Sequence, residues 1–191
     1  MANKVEFGIS QLHIGTYTVN DQGDVVLGAP YHLPGARSFN AETQSEQTNW
    51  YADNIIYWSG YSGGSVEGDI TVALFTDEFK KQFLGFKETV DGGLGEVKNA
   101  YKPKVYVAFQ TEGDYEPVRC ILYNGSFGSI TREYSTIEEN KEPVEESIPA
   151  TFTGDNKTGL TKVTYHPGQA GYDTLFTNPP VPELKPDTPS I

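Results

Sequence analysis

A chain of 191 residues, with 20 glycines and 12 prolines spread between short apolar runs, has the length of one domain and the composition of many strands joined by turns. Its formal charge of -12, from 26 acidic against 14 basic residues, excludes a grip on nucleic-acid phosphates as the main task. Cys120 is the only cysteine, which excludes an internal disulfide and a cysteine-based metal cluster, and no apolar run reaches the roughly 18 residues that span a bilayer.

The N-terminal stretch MANKVEFGIS has no apolar signal core after its lysine, so the expectation is a soluble protein that stays in the compartment where it is made. Val5, Phe7 and Ile9 share a face in KVEFGI, LHIGTYTV follows after a two-residue break, and both read as strands. Asp21 to Asp24 read as a turn, after which VVL begins a return strand ending near Pro30 and Pro34. The chain thus opens as a β-meander. A polar segment, ETQSEQTN, then leads into WYADNIIYWSGY, where Trp50, Tyr51, Tyr57, Trp58 and Tyr61 crowd together. A disordered linker does not carry that density of rings. Glu42 to Ser65 is therefore expected to be a long loop, an excursion from the body, since connections of that length are functional when they are not disordered. The other reading makes Trp50 and Trp58 core residues of one more hairpin.

The clearest local signal is Val66 to Gly85. Val66, Ile70, Val72 and Leu74 alternate with Glu67, Asp69 and Thr71, as in a half-buried strand. At Thr76 the period changes: a capping hydroxyl is followed by Asp77 and Glu78 in the first turn, and Gly85 stands where a left-handed terminus needs it. The pattern predicts one helix over about residues 76-84, packing through Phe79, Phe83 and Leu84.

Beyond the helix, DGGLGEV reads as a hairpin tip, because it lacks a full G-x-G-x-x-G and no helical pattern follows it. KVYVAFQTE and PVRCILYNG are the next strands, with Asp114 in the turn between them, Cys120 as buried filler and Asn124-Gly125 as a further turn. Six glutamates between Glu133 and Glu146 read as a solvated face. Ile148, Ala150 and Phe152 alternate in another strand, GDNKTG turns the chain, and LTKVTYHP gives a final core strand. Half of the prolines lie from Pro167 onward, which predicts a main domain over 1-170 and an extended, coreless arm over 171-191.

Catalytic patterns are missing. His13, His32 and His166 are scattered, and there is neither a G-x-S-x-G elbow nor a Walker loop. Two binding or catalytic alternatives stay open on residue type alone. Trp50, Tyr51, Trp58 and Tyr61 could form a stacking platform of a carbohydrate-binding β-sandwich, and the abundant carboxylates could serve an acid-dependent glycosidase, if a pair stood at the right separation in a cleft.

Several phrases in order, MANKVEFG, LPGARSF, WYADN, GDITVALFTDEFKKQFLG, RCILYN and EESIPATFTG, resemble the major tail proteins of long-tailed phages, specifically the phi13-type family. They span about residues 1 to 165. The resemblance implies a mainly β, tail-tube-type sandwich or barrel with one flanking helix, forming hexameric rings stacked into a tube through which the genome leaves. It implies no catalytic residue, no cofactor and no metal. It further implies assembly in the bacterial host cytoplasm into the virion tail, beside tape measure, tail terminator and distal tail or baseplate proteins, with DNA passing without specific binding. In such a tube, Trp50, Tyr51, Asp53, Tyr57, Trp58 and Tyr61 are the candidate contacts to a neighbouring ring or subunit. Candidate lumen acids are the turn residues Asp91, Glu96, Glu112 and Asp114 and the acidic run around Glu138 and Glu139.

Overall fold

Apolar runs punctuated by turn residues fold here into strands of one large antiparallel sheet. The structure, a computed structural model, describes residues 3–134, 136 and 143–185. Its elements in chain order are β1 (Glu6–Val19), β2 (Val25–Leu27), β3 (Tyr31–His32), β4 (Ala36–Ala52), β5 (Ile55–Val72), α1 (Asp77–Leu84), β6 (Lys87–Glu88), β7 (Leu94–Gly95), β8 (Val105–Gly113), β9 (Val118–Phe127), β10 (Thr131–Arg132), β11 (Glu146–Phe152), β12 (Lys162–Tyr165) and α2 (Ala170–Thr174). The sheet runs β2-β1-β8-β9-β11-β5-β4, with β3 on β1, β10 on β11 and β12 on β9, while β6 and β7 form a separate small hairpin.

The sheet curls on itself. β4, at one end of the order, comes back against β1. Its Phe39 meets Phe109 of β8 edge-on at 5.6 Å and Phe152 of β11 at 6.1 Å. Of the two expected forms, sandwich or barrel, this is the barrel-like one: a single sheet wrapped round its own core.

β1 is one strand where two were expected. Two register shifts against β8 each hold one extra residue, with Gly8 and Gln11 at positive φ, so the supposed break is a pair of bulges. The bulges also spoil the predicted face, because each one-residue slip moves side chains to the other side. Val5 and Phe7 are exposed. A second correction concerns Asn124-Gly125, expected to be a turn. Asn124 is instead the extra residue of a bulge within β9, at φ 55°, and its buried amide donates to the Gly154 carbonyl at 2.7 Å.

β8 and β9 are buried on both faces, so their side chains feed two cores. Val105, Val107, Leu122 and Phe127 point into the barrel with Ile14, Ile70, Val72, Ile148 and Phe152. Tyr106, Ala108, Ile121 and Tyr123 face the other way, with Tyr17 and Leu175. The cover of that outer face is the C-terminal segment predicted to be a coreless arm. Through α2 and residue 182 it lies on the sheet: Tyr172, Leu175, Pro179 and Pro182 are buried, and the Tyr123 hydroxyl donates to the Pro180 carbonyl at 2.8 Å. The Arg119 guanidinium stacks over Tyr172 and Phe176, with ring centroids at 4.1 and 4.6 Å. β12, expected to be a core strand, pairs only with β9 and is partly exposed.

The inner core is closed at one end by α1. Thr76 has extended backbone and its hydroxyl accepts from the Phe79 N–H at 3.2 Å; Gly85, at φ 72°, ends the helix. A Cβ on Gly85 would stand 2.8 Å from the Tyr101 carbonyl oxygen, so close approach and left-handed backbone both demand glycine. Phe79 and Phe83 are fully buried, and Phe79 lies against Phe75, Phe83 and Phe127 at 4.9 to 5.8 Å. Leu74, assigned to the buried face of the preceding strand, is exposed, because β5 ends at Val72 and the chain turns into the helix cap.

Glu146 belongs to the acidic run read as a solvated face, yet only 2% of it is exposed. Its Oε2 accepts from the Phe75 N–H at 2.7 Å, and Oε1 lies 3.5 Å from Lys80 Nζ and 3.3 Å from Arg132 Nη1. The carboxylate therefore joins the start of β11 to the entry of α1. Asp155 is the other buried carboxylate of the described residues. Burial pushes its carboxyl up, but hydrogen bonds from Tyr17, Thr158 and the Lys157 backbone outweigh that and leave it below its ordinary value.

Three outcomes follow from this packing. Phe79→Ala removes a fully buried ring and is expected to cost about 3–5 kcal/mol in a denaturant melt. Glu146→Ala leaves Lys80 and Arg132 without their buried partner and the Phe75 N–H without an acceptor, and is expected to cost about 3–5 kcal/mol. Because the folded pKa of Asp155 is lowered, its stabilisation is complete above the ordinary value of 3.8 and is lost as pH falls below it. Melting temperatures of Asp155→Asn should therefore fall less steeply than wild type over that acid range.

A projecting aromatic hairpin

β4 and β5 pair along their whole length, from Ala36 facing Val72 to Ala52 facing Ile55. β11 supports β5 only as far as Val66. Beyond that register, among the described residues, the two strands pair only with each other, and nine further residues of β4 extend the ribbon by about 30 Å. The predicted long loop is thus an ordered hairpin. Its physical reason is the tip: Asp53 and Asn54 both have positive φ, at 51° and 63°, the two-residue geometry whose twist matches that of paired strands. The competing reading holds in its hairpin and fails in its core tryptophans, since both project into solvent.

Trp50 and Trp58 are directly opposed on the two strands, and a bulge beside them leaves Tyr57 unpaired, its ring meeting Trp50 edge-on at 5.6 Å. Trp58 lies over Gly60, where a Cβ would come within 2.4 Å of the indole. Strand alternation puts Tyr51 and Tyr61 on the opposite face of the ribbon. The rings are 56 to 75% exposed, and Ile55 and Ile56 join them at 63 and 53%. Those two isoleucines were missed in sequence; the D-N pair between two aromatic runs was the signal for a hairpin that would have included them. None of these side chains belongs to either core, so the tip is an exposed apolar patch.

The arrangement disfavours a carbohydrate platform. Its four supposed members divide two and two between opposite faces, and one side of Trp58 is already against Gly60. The open groove on this ribbon, about 370 Å³, is lined by Gln44, Glu46, Gly63, Ser65 and Glu67, without an aromatic ring.

The candidate lumen acids lie on two separate turns. Asp91 and Glu96 are exposed around the β6–β7 hairpin, and Glu112 and Asp114 at the β8–β9 turn. Asp114 is engaged there: its Oδ1 accepts from the Lys4 N–H at 2.8 Å, while Asn3 clamps the same turn through the Glu116 carbonyl at 2.7 Å. Glu112 accepts from Gln110 at 2.9 Å. Glu138 and Glu139 lie outside the described residues. Among the described residues no three His, Cys, Asp or Glu side chains gather at metal-binding distances. His13 and His32, far apart in sequence, are brought ring to ring at 4.9 Å across β1 and β3.

No helix is long and apolar enough to cross a membrane among the described residues. No curated protein matches the chain. Among solved structures it is similar to the cryo-EM structure of the anti-feeding prophage cap (AFP tube terminating cap), at 9% identity and a TM-score of 0.49 over 87% of this chain and 96% of that one, a likeness too distant to bear on function. The sequence profile described as phage tail tube protein matches residues 2–157, which is most of the chain, including the projecting hairpin, α1 and every strand of the barrel except β12. The chain belongs to the phage tail tube protein family, and its role is structural, in the tail of the virion.

Proposed function

We propose that this protein is the tube subunit of a phi13-type long-tailed phage, joining in hexameric rings that stack into a channel for DNA ejection. Residues 1–170 form the ring-building domain and 171–191 an arm whose first part is strapped to it. Family membership supports the tube, and one observation supports the way it is held together: the β4–β5 ribbon leaves the barrel with its aromatic residues bare. A two-stranded ribbon is marginal in water by itself, and Trp and Tyr are the side chains most concentrated at the energetic centres of interfaces. In this reading the ribbon tip, through Trp50, Tyr51, Asp53, Tyr57, Trp58 and Tyr61, seats against a neighbouring subunit. Tape measure, terminator and distal tail proteins meet the ends of the tube, which is assembled in the host cytoplasm. The excess of acid keeps the lumen from holding DNA, with Asp91, Glu96, Glu112 and Asp114 as lining candidates.

Thr43 and Val66 face each other at the base of the ribbon, and removing it gives up the exposed hydrogen bond from the Thr161 hydroxyl to the Gly64 carbonyl at 2.9 Å. Replacing residues 44–65 with Asn-Gly is expected to keep the β-rich circular dichroism spectrum while abolishing tubes in electron micrographs. Normal tubes from this variant would refute the assembly role. Lysines at Asp91 and Glu96, or at Glu112, are expected to slow DNA ejection most at low salt, since phosphate attraction is screened as salt rises; an unchanged rate removes that turn from the lumen.

A further inference from the structure

We infer that the C-terminal strap is a pH-operated latch, in which protonation of His13 lifts the segment around Phe176 off the outer face of the sheet. The His13 ring stacks on Phe176 at 4.5 Å and 16°, so the imidazole is the floor on which the strap rests. Its Nδ1 lies 2.7 Å from the Gln11 carbonyl oxygen, which can only accept, so Nδ1 carries the hydrogen of the neutral ring. A second proton must go to Nε2.

The surroundings oppose that proton. His13 is 8% exposed. The titratable and charged groups facing it are His32 from β3 and Arg119 from β9, both basic, and Arg119 already holds its guanidinium over Phe176. Burial is the largest influence and lowers the His13 pKa below 6.5; the Gln11 carbonyl acts the other way, and His32 and Arg119 add to the lowering. The sign follows. A histidine whose folded pKa is depressed contributes stability that is complete above its unfolded value and is lost as pH falls through the folded one. Contacts of the strap depend on the same ring, so the loss falls first on the strap, which is tied to the barrel by a few side chains, and not on β8 and β9, buried on both faces. Lifting it would bare Ile121 and Tyr123.

The test is amide exchange on the full-length chain at about pH 7.5 and about pH 5, either side of the histidine range, with protection factors corrected for intrinsic rates. Protection of residues 172–178 is expected to fall about tenfold for each unit by which the folded pKa is depressed, while β8 and β9 hold. His13→Phe, which keeps a ring under Phe176 and cannot titrate, is expected to remove the difference. Equal strap protection at both pH values in wild type, or the same loss in His13→Phe, overturns the latch. Should that variant fold poorly, wild-type NMR decides: the Leu175 methyl signals are expected to move with the His13 ring at one midpoint below 6.5, and methyl signals that stay still while His13 titrates overturn it.

Discussion

A single buried carboxylate fixes how the helix and the barrel fit together. Glu146 begins β11, and by accepting from the Phe75 N–H and facing Lys80 and Arg132 it ties β10, β11 and the entry of α1 to one point. A charge taken from water is costly unless every lone pair is used, so the pairing tolerates one arrangement and penalises the rest. With Phe75 pinned, Thr76 falls where it caps α1, and the Tyr31 hydroxyl, 2.6 Å from Thr76 Oγ1, adds a tie from β3. The phenylalanine faces of the helix then close the inner core.

Two-sided burial of β8 and β9 has a different consequence. A strand with both faces covered must find cover on both, and the barrel supplies only one. The outer cover comes from sequence beyond the last strand, so the C-terminal segment is part of the fold as far as residue 182. Proline suits that task, since its ring is apolar and its backbone is already extended.

Much of this was legible where the signal is local. Thr76, Asp77, Glu78 and Gly85 announce a helix within ten residues, and α1 lies where they put it. What was not legible depends on partners. Asn124-Gly125 carries the dipeptide of a turn, but pairing with β8 and β11 on either side holds it inside a strand as a bulge. Glu146 cannot be told from its neighbouring glutamates without Lys80 and Arg132. The ribbon hid for another reason: with rings on both faces and no core beneath, it lacks the apolar-polar alternation by which a strand is recognised. The proline-rich end reads as an arm because only the tertiary fold reveals the bare face of β9 that it covers.

Trp50 and Trp58 are the only tryptophans of the chain, and both stand on the ribbon, outside either core. Their emission therefore carries information about the ribbon and whatever it touches, and almost none about the barrel. A denaturation curve followed by tryptophan fluorescence would trace the fraying of two strands, while the folding of the body passes unseen except through its buried tyrosines Tyr17, Tyr106 and Tyr123. The molecule has, in effect, two optical compartments: tyrosines that watch the fold and tryptophans that watch the neighbours.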